Sequence, residues 1–161
     1  MKTAIVTALV AALLFSSAAR PAEPQLDVPA DARDAVAVVD RFFAALSGGD
    51  LDRAGAMLDP QVIILESGGA EHSAAEYLGG HAKGDAAFLA QAHQRLMRRT
   101  AKTDGGLAWV ASESELQVER EGKPTVILST ETMVLQLTGD GWRIAHIHWS
   151  SRVRKPAEAG H

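Results

Sequence analysis

The stretch that decides the fold covers residues 38–62 and reads VVDRFFAALSGGDLDRAGAMLDPQV. It continues a pattern in which apolar residues recur at helical spacing from Ala35 to Leu46, which predicts a helix with one buried stripe. Asp31 is the expected N-cap, because its side chain can accept a hydrogen bond from a free amide of the first turn. Two glycines then end this helix.

The second half of the stretch predicts a shorter helix and a strand. Asp50 can cap this helix, which we expect to include Met57 and Leu58 and to end before Pro60. Residues 62–66, VIILE, are apolar on both faces, which predicts a strand in the interior of a sheet.

The remaining elements follow from a change in hydrophobic period. Ser73 and Glu76 have the form of a capping box and begin a third predicted helix that continues to about residue 92. Period-two patterns then predict four strands with short glycine-containing turns between them: residues 94–102, 107–120, 124–138 and 142–153. This order predicts an α+β domain, with three N-terminal helices packed on one side of a strongly bent antiparallel or mixed sheet.

We expect the folded unit to cover residues 31–153. Residues 1–19 have one lysine, an apolar run and small residues, the pattern of a secretory signal peptide cleaved after Ala18 or Ala19. The apolar run is too short for a good bilayer span, so we expect a periplasmic or secreted protein without stable membrane insertion. Residues 20–30 are predicted to be an extended leader, and residues 154–161 a disordered tail.

The composition restricts the possible partners. The chain has 16 Lys and Arg against 20 Asp and Glu, a formal net charge of −4 at pH 7, which argues against a nucleic-acid partner. It has no cysteine, so an exported form must be stabilised by packing and not by disulfides. We expect no cofactor.

The apolar face of the third predicted helix contains two polar residues. Tyr77 and Phe88 define this face, and His81 and Asp85 lie on it, one turn apart. A buried carboxylate needs a partner, so we expect Asp85 to accept a hydrogen bond from His81, whose second ring nitrogen stays free. We expect Tyr77 and Phe88 to line the same ligand site.

The last predicted strand includes GWRIAHIHWSSR, residues 141–152. Strict alternation places Trp142, His146 and His148 on the face turned to the helices. It places Ile147 and Trp149 on the outer face, where they would contact a second copy of the chain. Both surfaces are therefore candidates for function.

Charged residues on other strands are further candidates. Glu66 ends the first long strand on the face of its buried residues and can join the ligand site. Glu131 lies midway along the penultimate strand and is a weaker candidate. Arg98 is predicted to share a face with Leu96 and could contact an anionic ligand, or these charges are solvated strand positions.

The chain resembles the nuclear transport factor 2-like superfamily, which includes SnoaL-like cyclases, ketosteroid isomerase, scytalone dehydratase and the association domain of calcium/calmodulin-dependent kinase II. The resemblance covers residues 32–153 and rests mainly on residues 38–62 and 141–152. The middle segment, ESGGAEHSAAEYLGGHAKGDAAFL at 66–89, is similar to a subgroup of small exported bacterial proteins of unassigned role. The resemblance implies a conical pocket and commonly a homodimer through the outer sheet face, but no mechanism.

Four functions follow as hypotheses. The first is a domain that binds a small, partly apolar ligand in the pocket, with catalysis unproven. The second is a cofactor-independent isomerase, dehydratase or cyclase that uses His81 and Asp85 with His146 or His148 as acid and base. The third is zinc or copper binding by His81, His146 and His148. The fourth is a dimerisation module.

Overall fold

The computed structural model describes residues 22–155. The helices are α1 (Arg33–Ser47), α2 (Leu51–Gly55), α3 (Ala74–Gly79) and α4 (His81–Leu89), and a short 3-10 turn (Ala30–Ala32) precedes α1. The strands are β1 (Gln25–Asp27), β2 (Leu58–Glu66), β3 (Gly69–Glu71), β4 (His93–Asp104), β5 (Leu107–Arg120), β6 (Lys123–Thr138) and β7 (Gly141–Val153). The predicted signal peptide and most of the predicted tail lie outside the described residues.

The described strands form one mixed sheet in the order β1-β4-β5-β6-β7-β2-β3. The pairs β1–β4 and β2–β7 are parallel, and the other neighbours are antiparallel. The sheet is curled but unclosed, and the helical segment packs on it. The predicted α+β class and cone-like architecture are therefore confirmed, as is the interior position of β2 between β7 and β3.

Helix α1 packs its predicted apolar stripe into the core. Val39, Phe42 and Leu46 are fully buried there, together with Ile144 and Ile147 of β7. The predicted cap is wrong, because Ala32 occupies the N-cap position and the Asp31 carboxylate instead accepts a hydrogen bond of 2.6 Å from the Thr103 hydroxyl.

The predicted helix boundaries need two further corrections. Asp50 caps α2 as predicted, accepting from the Arg53 amide at 3.0 Å, but β2 already begins at Leu58. The third predicted helix is two helices, because the backbone at Gly80 leaves the helical region (φ −119°, ψ −101°). This break separates α3, which contains Tyr77, from α4, which contains Asp85.

The segment before α1 takes part in the fold. Gln25–Asp27, expected in a leader outside the folded unit, pair in parallel with residues 98–100 of β4. Val28 packs against the hydrophobic core. Among residues 22–155, no helix is long and apolar enough to cross a membrane.

Two β-bulges reverse the predicted faces of β4 and β7. In β7, Val134 pairs with His146 and Leu135 with Ile144, so Ala145 is an extra residue. In β4, Leu96 pairs with Ser114 and Arg98 with Glu113, so Met97 is extra. Since side chains alternate, one extra residue moves every later side chain to the opposite face.

The bulge at Ala145 makes the predicted outer positions of Ile147 and Trp149 wrong. Ile147 is fully buried, and the Trp149 ring stacks on Phe42 with 6.4 Å between ring centroids. His146 and His148 therefore lie on the outer face, where they pair with the exposed residues of β2. Ile147 and Trp149 belong to the core and not to a surface for a second chain.

Candidate functional site

A cavity of about 270 Å³ lies between α1, α4 and the concave face of the sheet. Its apolar wall consists of Phe43, Leu46, Phe88, Leu89, Leu116 and Ile127. Its polar wall consists of Glu66, Asp85, Gln94, Arg99, Ser112, Ser114, Arg120, Ser129, Glu131, Trp149 and Ser151. This mixture can hold an apolar body and orient a polar group.

A row of five polar residues crosses the concave face on neighbouring strands. Strand pairing joins Glu66 to Trp149, Trp149 to Glu131, Glu131 to Ser112, and Ser112 to Arg99. All five line the cavity. We call them the polar row. The two bulges create it, because they turn Trp149 and Arg99 inward.

Glu131 is the most deeply buried carboxyl group of the polar row, with 7% of its surface exposed. Its Oε2 accepts a hydrogen bond of 2.9 Å from the Trp149 indole, whereas Oε1 has no partner among the described residues. Burial raises the pKa of Glu131 to about 7, although hydrogen bonding by Trp149 and Ser112 and the charge of Arg99 oppose this change. Glu131 can therefore gain or lose a proton near neutral pH.

Arg99 ends the polar row beneath α1. Its Nε donates to the Ser112 hydroxyl at 3.1 Å, and its Nη1 forms an ion pair with Asp40 of α1. The Arg99 side chain is 9% exposed and that of Asp40 is 60% exposed, so the pair connects the cavity wall to the surface.

Asp85 and Glu66 form an acidic pair in the cavity wall. The Tyr77 hydroxyl donates to Asp85 at 2.9 Å. Because Tyr77 is buried in the core, with 1% of its surface exposed, this bond holds the Asp85 carboxylate in place. Burial raises the pKa of Asp85, and it also raises that of Glu66, with a further contribution from the Asp85 charge. The pKa of Tyr77 is raised by burial and by Asp85, so its hydroxyl stays protonated and donates.

The predicted hydrogen bond between His81 and Asp85 is absent. His81 lies at the start of α4 after the Gly80 break, largely exposed, and its Nδ1 contacts the buried Glu71 carboxylate. This contact raises the pKa of His81. His81 does not line the cavity, whereas Asp85 and Phe88 do.

The other predicted site residues are divided between both faces of the sheet. Trp142 packs against the core outside the cavity lining, and Arg98 lies on the outer face, 3.5 Å from Glu113. The His146 ring lies 2.9 Å from the Ile63 carbonyl oxygen. His81, His146 and His148 are thus not brought together, and the part of the chain that is described contains no group of three potential metal ligands. The three histidines therefore do not form the zinc or copper site that the sequence suggested.

Sequence reasoning missed Arg99, Asp40 and Glu71, and it underrated Glu131. The one available signal was Glu131 itself, a charged residue in a strand whose neighbours at Ile127 and Met133 are apolar at even spacing. Arg99 could not be found by alternation, because the bulge at Met97 changes the face.

The family is decided by a match over most of the chain, since residues 35–154 match the model of the SnoaL-like domain. The chain belongs to the SnoaL-like domain family. No sequence among the curated proteins matches it. One similar solved structure is a "putative ketosteroid isomerase" from Shewanella frigidimarina NCIMB 400, with 31% identity and a TM-score of 0.70, covering 78% of this chain and 99% of that one.

Two more distant structures share the fold of this SnoaL-like domain. The CaMKII hub of S. rosetta has 21% identity and a TM-score of 0.62, covering 83% of this chain and 100% of that one. A nuclear transport factor 2-like superfamily protein from Salmonella enterica serovar Typhimurium LT2 has 16% identity and a TM-score of 0.63, covering 80% and 96%. The match to the family model and the structure with 31% identity confirm the predicted superfamily.

Proposed function

We propose that this SnoaL-like domain binds a small, partly apolar ligand in the cavity between its helices and its sheet. The observation that carries the proposal is the cavity of about 270 Å³, in which a wall of aromatic and aliphatic side chains faces the polar row. A cavity of roughly 150 Å³ accommodates one benzene ring, so the space suits a ligand of about two rings. Folds of this class often bind small ligands or catalyse reactions on them.

Calorimetry with three bicyclic probes of similar size tests this proposal: 2-naphthylmethylamine, 2-naphthalenemethanol and 2-naphthoate. We expect at least one to bind the wild type and to lose binding in Ser129→Trp, which fills the cavity. Thr130→Trp is the matched control, since the neighbouring residue of β6 is exposed and does not line this cavity. Failure of all three probes to bind, or equal binding by both variants, contradicts the proposal.

An acid–base enzyme is the second candidate, and the bond from Tyr77 to Asp85 favours it. A carboxyl group held in place, with its pKa raised toward neutrality by burial, has the properties of a general base or acid. Asp85 with Glu66 replaces the predicted pair of His81 and Asp85 in this role.

Proton exchange at the methyl group of 2-acetylnaphthalene in D₂O, followed by NMR, tests this candidate. We expect the wild type to accelerate exchange, Asp85→Asn to lose at least tenfold, and the exposed Glu119→Gln to keep the wild-type rate. A wild-type rate equal to that of buffer counts against catalysis of this type.

We also propose that the protein is exported and forms a homodimer through the outer sheet face. The signal-peptide pattern of residues 1–19 supports export. Ile63 (44% exposed), Leu65 (36%) and Trp109 (38%) support the dimer, because they leave apolar surface on the face away from the helices. The intact mass of protein from periplasmic extracts tests the first proposal, and sedimentation velocity tests the second.

A further inference from the structure

The cavity wall holds three carboxyl groups, and two of them accept hydrogen bonds from neutral donors. Asp85 accepts from the Tyr77 hydroxyl, and Glu131 accepts from the Trp149 indole. Glu66, the third, lies beside Trp149 on the opposite side from Glu131. A buried carboxylate is stable when a cation offsets its lost hydration, and a neutral donor does this only in part.

Two cations near these groups are held in contacts with other carboxylates. From β4, Arg99 forms its ion pair with Asp40 of α1, and from α4, His81 contacts Glu71 of β3. A third cation, Arg120, also lines the cavity, but it lies at the exposed end of β5, away from the polar row. The centre of the cavity is therefore acidic, with Glu66, Asp85 and Glu131 facing it from β2, α4 and β6.

An independent observation points to a missing partner at this place. Oε1 of Glu131 is buried and has no hydrogen-bond partner among the described residues, although Glu131 is one of the residues that line the cavity. Buried polar atoms without partners are rare in folded proteins, and a bound ligand is one way to satisfy them.

We propose that the cavity recognises a ligand with a protonated amine on an apolar body. The inference rests on the proposed binding function and specifies its ligand class. The ammonium group donates to Glu131 Oε1 and neutralises the acidic pair Asp85 and Glu66. The body packs against the apolar wall, where Phe88 and Phe43 offer aromatic faces.

The spacing of the carboxyl groups in the polar row suits a single ammonium group. Neighbouring strands are about 4.8 Å apart, so Glu66 and Glu131, two strands apart across Trp149, have backbones separated by roughly 10 Å. Side chains of this length can approach one ammonium group from two sides. An ammonium group has three donors, which matches three acidic partners.

The same three naphthalene probes test the inference at pH 7. We expect the wild type to bind the amine at least tenfold more tightly than the alcohol, and the naphthoate most weakly. Asp85→Asn and Glu131→Gln should each weaken amine binding about tenfold and leave alcohol binding within twofold. Glu119→Gln, which removes an exposed carboxylate from β5, should change neither.

Proton release gives a readout that does not depend on any variant. Because a bound cation favours the ionised carboxyl groups, amine binding should release protons near pH 6.5, measured by calorimetry in two buffers of different ionisation enthalpy. The alcohol should release none. These wild-type results decide the inference even if a variant fails to fold.

The two proposals fail in different ways. Alcohol or naphthoate binding that equals or exceeds amine binding overturns the ammonium inference and leaves the binding function intact. If the alcohol binds more tightly than the amine and its binding is lost above pH 8, Glu131 would instead act as a protonated hydrogen-bond donor. Absence of binding by every probe rejects the binding function and the inference together.

Discussion

Replacing Glu131 by glutamine should remove a pH-dependent part of the free energy of unfolding. The Glu131 pKa is raised from 4.5 to about 7 in the folded protein. Each pKa unit corresponds to about 1.4 kcal/mol, so the difference corresponds to about 3 kcal/mol. The glutamine keeps an oxygen that can accept from the Trp149 indole but has no charge.

The direction of the effect follows from proton linkage. Because the folded state holds the proton more tightly, the wild type has the full contribution of Glu131 below pH 4.5. It loses this contribution as the pH rises, and the loss is complete somewhat above pH 7. Relative to the wild type, Glu131→Gln should therefore gain about 3 kcal/mol in stability between pH 4.5 and pH 8.

Urea unfolding followed by circular dichroism at pH 4.5, 6, 7 and 8 measures this difference. Subtracting wild type from variant at each pH cancels the other titrating groups. The exposed Glu119→Gln should show a difference that stays within about 0.5 kcal/mol over the same range. A constant difference for Glu131→Gln, or one that favours the wild type more strongly at pH 8, would refute the assigned proton affinity.

Three further substitutions test other parts of the structure. Tyr77→Phe removes the donor to Asp85, and we expect a loss of about 1–2 kcal/mol in urea unfolding and a still higher Asp85 pKa by NMR titration. Phe42→Ala leaves a cavity beneath the Trp149 ring and should cost about 3–5 kcal/mol in thermal or urea unfolding. Trp109→Ala should shift sedimentation toward the monomer without loss of stability beyond about 1 kcal/mol, and an unchanged profile contradicts the proposed dimer face.

The elements of the fold could be predicted from the sequence because their signals are local. The stripe that ends at Leu46 identifies α1, and glycine-containing turns separate β4 to β7, whose observed ends lie within two residues of the predicted ones. The Ser73 cap was also predicted correctly, since its hydroxyl accepts from the Glu76 amide at 3.1 Å. The Glu76 side chain, however, bonds the His72 amide at 2.8 Å and not that of Ser73.

The candidate site could be predicted only in part, because it depends on bulges and on a helix break. Alternation along β7 holds up to Ala145 and reverses after it, so Trp149 was placed on the wrong side of the sheet. Asp85 and Phe88 were correctly placed on the inner face of their helix. The partner of His81 could not be found, because Glu71 lies on β3 and not on the helix, so helical spacing does not relate the two residues.

The hydrogen bond from the Trp149 indole to Glu131 means that tryptophan fluorescence can report on the cavity. An indole whose N–H donates to a carboxyl group experiences a different local field when that group changes charge, and Glu131 does so near neutral pH. The emission wavelength of Trp149 should therefore depend on the protonation state of Glu131. With Trp109 and Trp142 replaced by phenylalanine, the protein becomes a single-fluorophore sensor for whatever enters.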